Sequence, residues 1–227
     1  MLVRDGVLRA EVSAWLSDEN RLNTGCAVEW NDTRELDEPT YRRLQQLAEK
    51  FELDENFRLL TSDLPRGGRL AVVDVEKQLA MAPCDLGEGI SQVVPVVTAA
   101  LARTVTTPSN REERVDLVAI EQPELHIHPR MQVVLGDLFL SQCHERQFLI
   151  ETHSEHLMLR LLRRIRETNE GELPGGAPEV TTDTVSVIYV EQVEGAVVLK
   201  NLRIDPDGDF HDRWPGGFFG ERAEELF

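Results

Sequence analysis

Apolar residues recur along this chain with helical spacing in some stretches and as short strand-like runs in others, and the order of the two is informative. Residues 5–17 carry Leu8, Val12, Trp15 and Leu16 on one helical face. A short strand is expected at 26–30. Residues 38–51 read as a second helix, with Pro39 suited to its first turn and Tyr41, Leu44, Leu47, Ala48 and Phe51 as its stripe. Residues 57–61 and 69–76 read as strands around a turn at Pro65-Arg66-Gly67-Gly68. Residues 1–80 therefore predict a small α+β region with no evident chemistry of its own.

From Asp85 onward the pattern changes. The run DLGEGISQVVPVVTAALA places Gly87 and Gly89 ahead of an apolar, helix-length segment, with Pro95 either kinking it or sitting in its first turn. Residues 115–120 form a buried-type strand that stops at Glu121-Gln122-Pro123-Glu124. Residues 129–143 predict a helix with Val133, Val134, Leu135, Leu138 and Phe139 as its apolar content. Residues 146–150 are a second short strand, ending in Glu151-Thr152-His153-Ser154. Residues 155–166 predict another helix, with Leu157, Leu161, Leu162 and Ile165 inward. Strand, helix, strand, helix with short connections is the pattern of a parallel α/β sheet. In such sheets ligands sit at the C-terminal strand ends, and both strands end in polar clusters. Residues 169–178 are turn-rich, and 184–190 with 196–204 predict a hairpin around Glu194-Gly195.

Composition narrows the field. A chain of 227 residues has room for one domain with a real core. Its 24 basic and 41 acidic side chains give a net charge of −17, which argues against broad non-specific nucleic-acid binding. No apolar run reaches the roughly 18 residues of a membrane-spanning helix, and no signal-peptide pattern is visible, so a cytoplasmic location without membrane contact is expected. Cys26, Cys84 and Cys143 cannot all pair and read as reduced thiols.

Phosphate chemistry could use all three polar pieces of the second half. A glycine-rich helix start presents backbone N–H groups and a positive dipole to phosphate oxygens. A carboxylate at a strand end can hold Mg²⁺, and a histidine at the next strand end can contact the γ-phosphate or the attacking water. In this order the pieces resemble the C-terminal half of an ABC-type ATPase head, and among such heads the AAA/OLD-like ATPases related to SMC and RecF. In that resemblance DLGEGISQ is the signature, IEQPELHIHP is Walker B running into the D-loop, and ETHSEHL is the switch-histidine segment. The likeness extends through Gln132 and Leu135 and to the ending WPGGFF…ELF, and covers residues 81–227 well and 1–80 only loosely.

The resemblance implies a P-loop NTPase fold of the ABC type: a C-terminal lobe with a parallel sheet core, a small α+β N-terminal region and a C-terminal hairpin. It implies ATP and Mg²⁺ as cofactors. Gly87, Gly89, Ser91 and Gln92 would meet a neighbour's nucleotide, Glu121 would hold Mg²⁺, Gln122 or Glu124 would orient water, and His153 would sense the γ-phosphate. It implies a homodimer closed by ATP, with nucleic acid or an effector protein in DNA maintenance or phage defence as further partners. Two departures stand out. No G-x-x-x-x-G-K-S/T loop occurs, since none of Lys50, Lys77 and Lys200 follows a glycine. The Walker A lobe is therefore expected from a preceding segment or a separate ATPase subunit. Gln122 stands where the general base is expected, and a neutral amide cannot take a proton. A second reading follows: a non-catalytic interaction module that donates the signature to another subunit.

Other features admit plainer readings. His126 and His128 with Cys143 and His144 hint at a metal site, although a His-x-His pair beside a proline fits D-loop packing better. Asp205, Asp207 and Asp209 begin like a calcium loop, yet the twelfth position is Gly216. Glu191, Glu194, Asp205 and Asp207 mimic a Toprim site, but no helix fits between 194 and 205. Arg160, Arg163, Arg164 and Arg166 read by default as a solvated helix face. Trp214, Phe218 and Phe219 read as an apolar clasp.

Overall fold

The computed structural model describes residues 2, 5–34, 37–49, 66–103, 116–212 and 214. Helix α1 (Gly6–Ser17) begins where Asp5 accepts from the N–H groups of Val7 and Leu8, both at 3.0 Å, and buries the expected Leu8, Val12 and Leu16. Strand β1 (Cys26–Arg34) follows, then α2 (Glu38–Glu49), β2 (Arg66–Asp74) and β3 (Leu79–Met81). The three strands form an antiparallel sheet in the order β1-β2-β3. Ser13 ties α1 to it by bridging the N–H and C=O of Val28 at 2.9 and 3.2 Å.

The expected turn at 65–68 is not one. Arg66, Gly67 and Gly68 lie within β2 and pair with Arg34, Thr33 and Asp32. The glycines serve packing: a Cβ on Gly68 would stand 1.8 Å from the Trp30 ring, which covers that strand position. The expected strand at 57–61 and the Phe51 end of the helical stripe lie outside the described residues.

After a short 3₁₀ turn (Pro83–Asp85), helix α3 (Glu88–Leu101) runs unbroken through Pro95, which is exposed and well past the first turn. Strand β4 (Asp116–Glu121), helix α4 (Pro129–Gln142), strand β5 (Arg146–Glu151) and helix α5 (Glu155–Glu170) then realise the expected alternation. Strands β4 and β5 are parallel and in register from Asp116↔Arg146 to Glu121↔Glu151. Helix α5 continues past Arg166 to the left-handed Gly171, where N–H groups return to Glu167 and Thr168 carbonyls. Strands β6 (Val187–Val193) and β7 (Ala196–Leu202) form the hairpin, with β6 starting three residues late because Thr181–Thr184 closes a turn of its own.

One hydrophobic cluster crosses residue 80. It joins Leu8, Val12, Leu16, Val28 and Val72 to Val93 and Val97 of α3, Leu135, Leu138 and Phe139 of α4, and Leu157 of α5. The core is thus continuous across residue 80, joining the antiparallel sheet β1-β2-β3 to the helices around the parallel pair. Ile120, Phe148 and Ile150 present one face of the parallel pair to this cluster, and the Phe139 and Phe148 rings meet at 5.3 Å. The opposite face is open: Leu117 and Leu149 are 63% and 62% exposed. The outer face of the hairpin, with Ile188, Val190, Val197 and Leu199, is open too. No helix among the described residues is long and apolar enough to cross a membrane.

Candidate functional site

Three chain segments named from sequence converge on the turn that follows β4. Glu121 and Glu151 end the two parallel strands side by side, both exposed on the open face. No ion pair engages either carboxylate among the described residues. Adjacent like charges repel, so the pair is a place where a cation is welcome. Gln122 takes a left-handed φ of 45° and donates its N–H to the Glu151 carbonyl at 2.8 Å, turning the chain off the strand end. Pro123 behind it is fully buried.

Glu124 does not face outward as a free carboxylate. Its Oε1 accepts the His153 N–H at 2.6 Å, and its Oε2 is buried with no donor among the described residues. His153 itself is exposed at the start of the segment that leads into α5. Ser154 caps that helix by accepting from Leu157 N–H at 3.0 Å.

Helix α3 brings its N-terminus to the same turn. A Cβ on Gly89 would stand 2.8 Å from the His126 carbonyl oxygen, so the absence of a side chain there sets how closely helix and turn approach. His126 Nδ1 lies 3.3 Å from Glu88 Oε2. Gly87 is the N-cap residue and supplies no side chain, whereas Asp5, Asp37, His128 and Ser154 each accept a backbone N–H at the start of the other four α-helices among the described residues. Gly87 and Gln92 are exposed and Ser91 is half-buried, its hydroxyl donating to the Glu88 carbonyl at 2.8 Å. An uncapped helix start leaves N–H groups for an outside acceptor.

Gln132, Arg146 and the α4–α5 ion network carry structural weight that residue patterns did not reveal. Gln132 belonged to the matched stretch, which was its one signal. Its Nε2 donates to the Ile127 and Glu124 carbonyls at 3.0 and 3.4 Å, and its Oε1 accepts from Ser154 Oγ at 2.7 Å. Arg146, buried at the start of β5, donates to the Ala100 and Ala102 carbonyls at 2.9 and 2.7 Å and so caps the far end of α3.

The plainer readings fare unevenly. His128 caps α4 by accepting the Arg130 N–H at 3.2 Å, and no metal-holding cluster of three or more His, Cys, Asp or Glu occurs among the described residues. Asp205 accepts from the N–H groups of Asp207 and Asp209 at 3.0 Å in a closed turn, whose Gly208 packs on the Leu162 carbonyl of α5. The arginine run is only partly a solvated face, with Arg163 and Arg166 exposed and Arg160 and Arg164 turned inward. Arg164 is buried and grips Asp137 of α4 at 2.8 and 2.9 Å and also Glu167; Arg160 reaches Asp137 at 3.3 Å, and Arg163 bonds Glu167. The hydrogen bonds that Arg164 donates to Asp137 raise its pKa despite burial. Burial pushes the Glu167 carboxyl up, but Arg163 and Arg164 together outweigh it and hold the group below its ordinary value. Trp214 packs edge-on against Tyr189 and Phe210, at 6.1 and 5.0 Å between ring centres. Phe218 and Phe219 lie outside the described residues.

Residues 37–158, more than half of the chain, match the family described as AAA ATPase domain. Residues 180–227 match a second family, described as a protein of unknown function (DUF3696). No curated protein matches the chain. A solved chain described under "Structural biochemistry of ATP-driven dimerization and DNA stimulated activation of SMC ATPases" is similar at TM-score 0.46 and 10% identity, over 86% of this chain and 83% of that one.

Proposed function

The chain belongs to the AAA ATPase domain family, and from that premise we propose that it is the C-terminal lobe of an ABC-type ATPase that binds and hydrolyses ATP at a dimer interface. The observation that carries this reading is the meeting of three elements at one turn: the paired strand ends Glu121 and Glu151, the His153 segment, and the uncapped start of α3. The division into a region 1–80 and a lobe 81–227 belongs to the same proposal.

The residues fit the cofactors. Mg²⁺ keeps several waters and is commonly held by one or two carboxylates plus substrate phosphates, so no protein cage is needed. Glu121, beside the unpaired Glu151, meets that requirement. The backbone N–H groups at Gly87–Gly89 suit an anionic phosphate. Bound MgATP would supply the transferable phosphoryl group and the charge that clamps two protomers together. For the chain's own part, Glu121 would hold the metal and Gln122 would orient water without accepting its proton. His153 would contact the γ-phosphate. Gly87, Gly89, Ser91 and Gln92 would present α3 to the nucleotide of a second copy. The phosphate-cradling loop would come from a P-loop-bearing lobe. The open face of the parallel pair supports this, because parallel sheets are covered on both faces and Leu117 and Leu149 stand in water.

Steady-state phosphate release tests the reading, with the chain combined with a P-loop-bearing lobe, fused to it or added as a separate subunit. Glu121→Gln should cut Mg²⁺-dependent release strongly, and His153→Ala should reduce turnover with less effect on binding. The second reading, a signature-donating module without hydrolysis of its own, is favoured by Gln122 at the base position. Under it both variants would release phosphate at the parent's rate, while loss of Ser91 would silence the partner subunit. Nucleic acid or an effector protein as the recipient of the dimer's motion rests on family analogy.

A further inference from the structure

The turn after β4 and the segment after β5 are fastened to each other twice, and one side chain does most of the fastening. Gln132, in the first turn of α4, donates from Nε2 to the carbonyls of Ile127 and Glu124 and accepts at Oε1 from Ser154 Oγ. Ser154 in turn caps α5. A few residues back, the Glu124 carboxylate accepts the His153 N–H at 2.6 Å. Between these two contacts lies the exposed His153 side chain.

A carboxamide is the one ordinary side-chain group of this length that donates at one tip and accepts at the other. Glutamate at 132 could accept from Ser154 but not donate to two carbonyls, and leucine could do neither. Glu124 needs only to accept. A carboxylate does that strongly, and a carboxamide does it more weakly. Its second oxygen is buried, so it is poorly placed to exchange protons with a water on the open sheet face.

We propose that Gln132 and Glu124 are positioning residues that fix the His153 segment relative to the turn after β4, and that Glu124 acts as this anchor rather than as a substitute general base. The assignment rests on the reading that His153 faces nucleotide, and it adds how that histidine is held. Histidine then reports on the nucleotide from a fixed point, and any draw on its backbone is felt at the turn that meets α3.

Amide hydrogen exchange on the full chain, without nucleotide, tests this. Gln132→Leu, Gln132→Glu and Glu124→Ala should each speed exchange at residues 153–157 by about tenfold or more, the loss of one or two hydrogen bonds. Amides of β4 should stay as protected as in the parent, and the ¹³C-labelled His153 imidazole should shift. Glu124→Gln should restore most of the protection that Glu124→Ala loses. Unchanged exchange in Gln132→Leu and Glu124→Ala would overturn the proposal, as would loss in Glu124→Gln equal to that in Glu124→Ala. If a Gln132 variant does not fold, the Glu124→Ala and Glu124→Gln pair carries the same two outcomes at residues 153–157 by itself. Failure of the assembled enzyme to release phosphate would sink the nucleotide reading and leave this exchange result standing.

Discussion

Arg164 and Gly89 show how much a single position can decide in this molecule. Arg164 is buried between Asp137 and Glu167, and breaking a buried pair by removing one partner costs about 3–5 kcal/mol. Arg164→Met should destabilise by that amount, read as a lower urea midpoint. Glu167 has a folded pKa below its ordinary 4.5. Its contribution is therefore complete above that value and is lost as pH falls through the lowered folded value. The gap between parent and Arg164→Met should accordingly narrow in unfolding series taken from pH 7 down to pH 3. Gly89 poses a different problem. Alanine there forces a Cβ to 2.8 Å from the His126 carbonyl, and overpacking of this kind costs about 1–3 kcal/mol. Ser91→Ala should stay within about 1 kcal/mol of the parent, since its hydroxyl bonds only a carbonyl of its own helix turn. Ser91 is thus the cleaner probe of α3. Its loss should weaken ATP-dependent dimerisation in sedimentation velocity while leaving the fold intact.

Elements were legible where hydrophobic period and capping agreed. The stripe of α1, the alternation β4-α4-β5-α5 and the hairpin β6-β7 all follow from spacing. What spacing could not show is contact across the chain. Gly67 and Gly68 read as a turn because glycine pairs commonly mark one, yet on the strand they make room for Thr33 and for the Trp30 ring of the neighbouring strand. The arginines of α5 read as solvated because their partners Asp137 and Glu167 sit on a different helix or one turn away. The candidate site divides the same way. Glu121, Gln122, His153 and the α3 start were visible as strand ends and glycines, whereas the occupation of Glu124 by the His153 N–H and the role of Gln132 needed the three-dimensional turn. Helix α3 offers an element-scale prediction. Arg146 holds its last carbonyls, so Arg146→Met should raise hydrogen exchange near Ala100–Ala102 and cost about 1.5–3 kcal/mol, the worth of charged hydrogen bonds.

The molecule as a whole has a covered and an uncovered side. Strands β4 and β5 rest on α3 and α4 through Ile120, Phe148 and Ile150, while Leu117 and Leu149 face water beside Glu121 and Glu151. A surface leucine changed to aspartate should move stability by no more than about 0.5 kcal/mol. Leu149→Asp should therefore leave the unfolding curve of this chain almost unchanged. On the proposed reading it should abolish co-purification with a P-loop-bearing lobe, because a buried unpaired charge at such an interface is strongly unfavourable. Under the function proposed above, the backbone cradle and lysine that grip the phosphates belong to a P-loop-bearing lobe, and nucleotide affinity should follow from that division. The most direct test is calorimetric titration of MgATP into this chain, alone and in the presence of that lobe. The account predicts no site of micromolar affinity in the chain alone and the appearance of one in the complex, lost again with Glu121→Gln. A micromolar or tighter site in the isolated chain, or none in the complex, would contradict it.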